Sequence, residues 1–418
     1  MKHFSSIDHL MDTQIGSAKR LKCLATYMGL LTVGMLILGG CAAPVVKREP
    51  LFFPSPPNEP RIQFLKSVSN SQDVEDRKSS LISFLGGDTE SNQIRSIIRP
   101  YGVHYANGKL YVCDTQGATT IVTIDFKKKS FEYLKESTGP GKLKKPVNFA
   151  VDKDGTLYVA DTIKKAVMIY DPSGSFIGSI GGNQLDIKPV DVGLDDDFIY
   201  VLDLKDSDIK LFDRKSREYV RSIGGHEKST EEALALPTNF TIDDKGIIYV
   251  TNLGDFTVKL YDRDGHFLGK FGKLGDSFGE FARPKGVAVD KDGRIWVVDG
   301  AFQNVQVFDA KHRLLVFFGA PPRPYGALDL PAGIAVTTED LDYFQKLAEP
   351  DFKLDEVVFV ANQMGDSMVS IYGLGHKVTA AKPGEGTKPA PPQKSGGAPK
   401  PAEVAPVKQG DSKNLNEH

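Results

Sequence analysis

The sequence predicts an all-β protein, a six-bladed β-propeller of four-stranded antiparallel blades whose ring is closed by an N-terminal strand. Three observations predict it. A proline opens each of six units, at Pro100, Pro146, Pro189, Pro237, Pro284 and Pro331, in steps of 46, 43, 48, 47 and 47 residues. Each unit is filled by short alternating apolar runs separated by turn residues, the pattern of a propeller blade. The chain also holds 41 Gly and 25 Pro, enough for the many tight turns that such a fold requires.

The fifth unit shows its four strands most clearly: residues 286 to 290, a turn over 291 to 293, then 295 to 299, 305 to 309 and 314 to 319. Each has the period-2 alternation or the apolar run expected of a blade strand. Residues 153 to 155, 244 to 246 and 107 to 108 place the same kind of hairpin turn in other units. The sixth unit has no fourth strand, because after residues 368 to 372 the chain becomes polar. Residues 61 to 68 are strand-like and precede the first unit, so they are expected to pair with the third strand of the last blade and remove an exposed edge. Residues 79 to 85 are expected to form a short helix across one mouth. Residues 340 to 356 are expected to insert between the first two strands of the last blade.

Outside the repeats (residues 94 to 374, within a propeller spanning 61 to 375) the ends read differently. Lys19, Arg20 and Lys22 precede an uncharged apolar run over residues 24 to 38, followed by Leu38, Gly39, Gly40 and Cys41. This resembles a lipoprotein signal peptide, with Cys41 as the lipidated residue; the alternative is an uncleaved anchor, for which the run is short. Ala42, where an inner-membrane lipoprotein would carry Asp, favours the outer membrane. Residues 42 to 60 hold Pro44, Pro50, Pro54, Pro56, Pro57 and Pro60 and read as an extended spacer. Leu51, Phe52 and Phe53 interrupt it, either as a docking contact or packed on the side of the propeller. Residues 376 to 418, rich in Lys, Pro, Ala and Gly, read as a disordered tail.

Composition is that of a globular protein, with 40% hydrophobic and 25% charged residues and a net charge of −2. Removing a leader of net +2 leaves about −4, which gives no reason to expect nucleic acid. Of the three cysteines, Cys23 and Cys41 lie in the leader and its processing site, so Cys113 has no disulfide partner and the fold must stand on packing. No Cys-x-x-Cys-His stretch is present, which excludes covalent haem of the c type.

In the fifth unit Pro284, Gly286, Val287, Ala288, Val289, Asp290, Gly293, Ile295, Val297 and Asp299 are followed by Asp309 and by Phe318 and Gly319. This pattern resembles the NHL repeat of six-bladed propellers in the TolB-like superfamily. The resemblance implies the fold and leaves function open, because such propellers include binding modules, lyases and lactonases. The lyases and lactonases are expected to hold several carboxylate or His ligands around a central cation.

Two sets of polar residues stand out. The end of each second strand carries Asp114, Asp161, Asp203, Asn252, Asp299 or Asn362. These suggest a metal ring, but Asp and Asn also bind the amides of the following turn, and a metal needs ligands that converge on one point. They are read as turn residues. Two positions after the marker proline stand Gly102, Gly286 and Gly333, but Asn148, Asp191 and Asn239 in the three consecutive units between. With His104, which replaces a small residue on the first inner strand, this arc is the candidate ligand site at the channel mouth. The alternative is that these groups cap loop amides while His104 fills a gap through water. No catalytic constellation and no resident metal or other cofactor are indicated. The expected function is that of a monomeric, membrane-anchored scaffold recognising an envelope protein or polysaccharide. The alternative is a lyase or lactonase-like hydrolase using channel-bound calcium or zinc.

Overall fold

The computed structural model describes residues 49–55, 57–76, 93–135, 138–182, 185–224, 230–319 and 326–378. Cys41, the helix expected over residues 79 to 85 and the tail after residue 378 lie outside them. The described chain begins with β1 (Phe52–Phe53) and β2 (Ile62–Val68). Blade one is β3 (Pro100–Ala106), β4 (Lys109–Asp114), β5 (Thr120–Asp125) and β6 (Ser130–Tyr133). Blade two is β7 (Pro146–Val151), β8 (Leu157–Asp161), β9 (Ala166–Tyr170) and β10 (Phe176–Gly181). Blade three is β11 (Pro189–Leu194), β12 (Phe198–Asp203), β13 (Asp208–Asp213) and β14 (Tyr219–Ile223). Blade four is β15 (Pro237–Ile242), β16 (Ile248–Asn252), β17 (Thr257–Tyr261) and β18 (Phe267–Phe271). Blade five is β19 (Pro284–Val289), β20 (Ile295–Asp299), β21 (Asn304–Phe308) and β22 (Leu314–Phe318). The last blade holds β23 (Pro331–Thr337), β24 (Phe352–Asn362) and β25 (Val369–Lys377), and its sheet runs β1-β2-β25-β24-β23.

The first strand of every blade faces the axis, and these inner strands contact one another around a closed ring. A middle strand is covered by a neighbouring blade on both faces, so β8, β16 and β20 are buried at every residue and read as mostly apolar runs ending in Asp161, Asn252 and Asp299. The outermost strands β10, β18 and β22 alternate between exposed and half-buried positions, because one face meets solvent. Apolar clusters fill all six interfaces between adjacent blades. Cys113, buried and free, belongs to one of them.

β2 pairs antiparallel with β25, from Ile62 against Leu374 to Val68 against Val369, so the N-terminal segment closes the ring. The spacer ends earlier than its prolines suggest. Phe52 and Phe53 form a fifth strand on β2. The Phe52 ring lies 5.4 Å from Phe352, and Phe53 lies 6.0 Å from Phe318 and 6.4 Å from Tyr372. Of the two readings of this apolar stretch, packing on the propeller is the one observed.

The insertion in the last blade contains α1 (Leu341–Phe344) and a 3-10 turn (Gln345–Leu347), and its final residues extend β24. Phe344 is fully buried within 6 Å of the rings of Tyr105 and Phe126 in blade one, at 5.9 and 5.6 Å. Tyr105 donates its hydroxyl to Asp340 Oδ2 at 2.6 Å, and Gly108 N donates to Glu339 Oε2 at 2.8 Å. The insertion therefore ties blade six to blade one at the seam where the ring closes.

Ile62 is fully buried in that closing strand. Ile62→Ala is expected to cost about 2–5 kcal/mol. Val220→Ala, on an outer strand and 48% exposed, should stay within about 0.5 kcal/mol. Urea unfolding followed through the fluorescence of the single, buried Trp296 checks both.

Candidate functional site

The residues that end the second strands are all fully buried, and each binds the backbone that leads into its own blade. Asp161 accepts from Lys144 N and Lys145 N on one oxygen and from Ile163 N and Lys164 N on the other, at 2.6 to 3.0 Å. Asp299 does the same for Ala282, Arg283, Ala301 and Phe302. Asp114 accepts from Ile98 N and Arg99 N, Asp203 from Lys188 N and Lys205 N, Asn252 from Ala235 N, and Asn362 from Asp329 N. One carboxylate thus holds both the turn after its strand and the segment just before the marker proline. These groups are spread one per blade and do not converge.

Deeper along the axis a cavity of about 140 Å³ is lined by His104, Asn148, Asp191 and Asn239, so the structure does bring the four predicted residues together. It places them inside the inner strands rather than on loops at the mouth. Asn148, Asp191 and Asn239 are 9%, 3% and 2% exposed. Their acceptors are engaged: Asn148 Oδ1 by its neighbour Phe149 N at 3.0 Å, and Asp191 by Val192 N at 2.8 Å and Phe240 N at 2.9 Å. Asn239 Oδ1 accepts the Tyr101 hydroxyl at 3.2 Å. The alternation of glycine and polar residues now has a steric cause. A Cβ on Gly102 would lie 2.0 Å from Asn148 Oδ1, and one on Gly333 would lie 2.3 Å from Tyr101 O. The glycines admit the side chains and backbone of the next blade.

Burial pushes the Asp191 carboxyl up to about 8, against the amides of Phe240 and Val192, which pull it down. His104 is exposed to the channel rather than to bulk water, packs 5.6 Å from the Phe149 ring, and is lowered to about 4 by the surrounding protein. The imidazole is therefore neutral at neutral pH.

Tyr101 was not singled out from the sequence, yet it divides the axis. It starts on blade one and reaches Asn239 on blade four, three blades away, so its ring crosses the channel. Above it, on the face where the marker prolines lie, a second cavity of about 410 Å³ is lined by Arg99, Tyr101, Gln116, Lys145, Arg283, Lys285 and Gln363, among others. The basic residues just before Pro100, Pro146 and Pro284 were the available sequence signal for this mouth.

The arc does not fit a resident metal. Among the described residues lining the 140 Å³ cavity, Asp191 is the one carboxylate and His104 the one imidazole, and both Asp191 oxygens accept backbone amides. Among the described residues, two other clusters have metal-like spacing. Asp203, Asp206 and Asp208 already surround the Lys210 ammonium at 3.2, 2.8 and 2.8 Å, and Asp262, Asp264 and His266 sit in an outer hairpin.

The NHL repeat family model matches residues 281–308, within blade five. The comparison with curated protein sequences gives no match. Among solved structures, the chain is similar to a Bacteroides thetaiotaomicron protein of unknown function, at 15% identity over 75% of each chain and a TM-score of 0.50. It is also similar to a gluconolactonase of Xanthomonas campestris, at 14% identity, 76% of this chain, 98% of that chain and a TM-score of 0.47. A virginiamycin B lyase of Staphylococcus aureus aligns at 13% identity, 68% and 86% coverage and a TM-score of 0.45. The chain is a six-bladed β-propeller carrying an NHL repeat. At these identities the likeness is one of fold alone.

Two predictions follow from the buried carboxylates. Asp161→Ala leaves four amides without their acceptor and should destabilise by about 3 kcal/mol or more in urea unfolding, with Asp161→Asn losing less. Asp191 has a folded pKa above its ordinary value of 3.8, so its protonated form stabilises the fold at low pH and that contribution is lost as pH rises towards about 8. Glu356, pushed up to about 7 by burial, acts with the same sign. The thermal midpoint should therefore fall between about pH 5 and 8, with a shallower slope in Asp191→Asn.

Proposed function

We propose that the chain is a non-catalytic binding propeller, held at the cell envelope through a lipid on Cys41 and presenting its proline face to an envelope protein or glycan. One observation carries the reading. Tyr101 closes off the polar arc, whose acceptors are taken by the chain's own amides and hydroxyl, and leaves a wide cavity open above it. Pockets of this size hold ligands when a few polar groups line a preformed wall. The ring of second-strand carboxylates makes that wall rigid by fixing the backbone on which the mouth is built. The proline-containing segment before β1 would act as a spacer between lipid and wheel. Ala42 supports the outer membrane as the site of anchoring. In blade six the outer edge is kept short by the two-residue β1, which supports a monomer.

A second reading rests on His104, a neutral imidazole facing the same cavity as the buried Asp191, in a fold shared with a gluconolactonase and a virginiamycin B lyase. Metal analysis of the purified chain, followed by a lactone and ester screen, separates the two. The binding reading expects no stoichiometric calcium or zinc and no turnover. Turnover lost in His104→Ala would establish the enzyme instead. Capture of partners from native envelope by the lipidated chain should be abolished by Gln116→Trp, which fills the mouth from its exposed rim.

A further inference from the structure

Several crowded charges on the opposite face of the propeller are paired, but those at the mouth are not. On that opposite face, where the hairpins turn, Arg263 meets Asp195 at 2.6 Å, Arg294 meets Asp290 at 2.6 Å and Lys153 meets Asp196 at 2.8 Å. Arg99, Lys145, Arg283 and Lys285 line the 410 Å³ mouth together, and no carboxylate lines it with them. Among the described residues none of the four forms an ion pair. Lys285 is the least expected of them. It is 5% exposed, yet its ammonium has only neutral partners, the Gln363 Oε1 at 2.8 Å and the Tyr101 ring at 5.4 Å from the centroid. Burying a cation without a counter-charge is costly, and functional sites are where such arrangements persist. Burial, with Arg283 and Arg99 repelling it, pushes the Lys285 amine down to about 8. Asp299 is the carboxylate whose charge opposes this, and its oxygens are occupied by four backbone amides.

We propose that this mouth is a binding site for an anionic saccharide, whose carboxylate or phosphate is held by Lys285 and Arg283 with Arg99 and Lys145 at the rim. The inference rests on the binding-propeller reading and names its ligand class. An anion placed there supplies the counter-charge that the chain withholds, and guanidinium groups match carboxylate and phosphate geometry. The lining favours a sugar over an acidic peptide. Gln116 and Gln363, the latter already holding the Lys285 ammonium through Oε1, add neutral hydrogen-bonding groups to the lining, Tyr101 adds an aromatic ring, and the cavity is large enough for more than an isolated acidic group. Its position at the end of the axis leaves it open from outside the wheel.

The test is calorimetric titration of the full chain in detergent with trigalacturonate, maltotriose, inorganic phosphate and hexaglutamate. Saturable binding of trigalacturonate, none of maltotriose, and competition by phosphate are expected, with affinity falling as salt rises. Lys145→Gln combined with Arg283→Gln changes two exposed side chains and should leave the thermal midpoint unchanged while weakening trigalacturonate at least tenfold. Lys285→Met should abolish binding. Equal binding of maltotriose and trigalacturonate at this mouth, blocked by Gln116→Trp, overturns the anion assignment and leaves the binding-propeller reading standing. Tighter binding of hexaglutamate than of trigalacturonate overturns the saccharide assignment. Unchanged trigalacturonate affinity in the double variant, with the fold intact, overturns the site.

Discussion

A ring of sheets has to be closed by something, and here one strand from the far end of the chain closes it. Each of the first five blades is a local meander, formed by residues that follow one another within one repeat. The sixth cannot be completed that way, so β2 crosses to β25 and fixes residue 62 against residue 374. Every inter-blade cluster depends on that pairing, because an open ring would let adjacent blades splay and wet their apolar faces. The pairing is reinforced from both sides: Phe52 and Phe53 cover the outer edge, and the insertion carrying Phe344 ties the inner part of blade six to blade one. Of the bonds in the molecule, these are the ones that loop-closure entropy opposes most strongly.

The blades were legible from the sequence because their signals are local. A marker proline, alternating or continuous apolar runs, and Asp-x-Gly turns all act within a few residues, and strands such as Ile295–Asp299 fall where the pattern put them. The end of the spacer was less legible. Prolines at 54, 56, 57 and 60 outweighed the three apolar residues before them, and only the distant rings of Phe318, Phe352 and Tyr372 make Phe52 and Phe53 part of a blade. That contact spans the whole length of the repeat region, so no local window contains it.

The candidate site shows the same limit in another form. The four residues of the arc were found by comparing equivalent positions, and they do share one cavity. Their depth was not legible, because it depends on Tyr101 reaching across to Asn239, a pairing between blades on opposite sides of the axis. Nor does a list of Asn, Asp and Gly reveal that Gly102 is small in order to receive Asn148. Seen in three dimensions, the three polar residues brace neighbouring inner strands, with Asp191 of blade three holding the amide of Phe240 in blade four.

Position relative to the marker proline sorts these residues into two layers with different chemistry. Residues just before or just after the proline, such as Arg99, Lys145, Arg283 and Lys285, reach the mouth. The residue two places after it lies below Tyr101 and faces the adjacent blade. A polar group in the lower layer must find a partner within the protein, since water reaches only a cavity of about 140 Å³ there. A cation in the upper layer is under no such constraint, and three of the four remain hydrated. Lys285 is the exception, placed in the upper layer by sequence but drawn under cover by the Tyr101 ring and Gln363. It is a buried cation whose close partners are neutral, and the axis thereby has a direction: braced by its own hydrogen bonds below Tyr101, lined with cations above it.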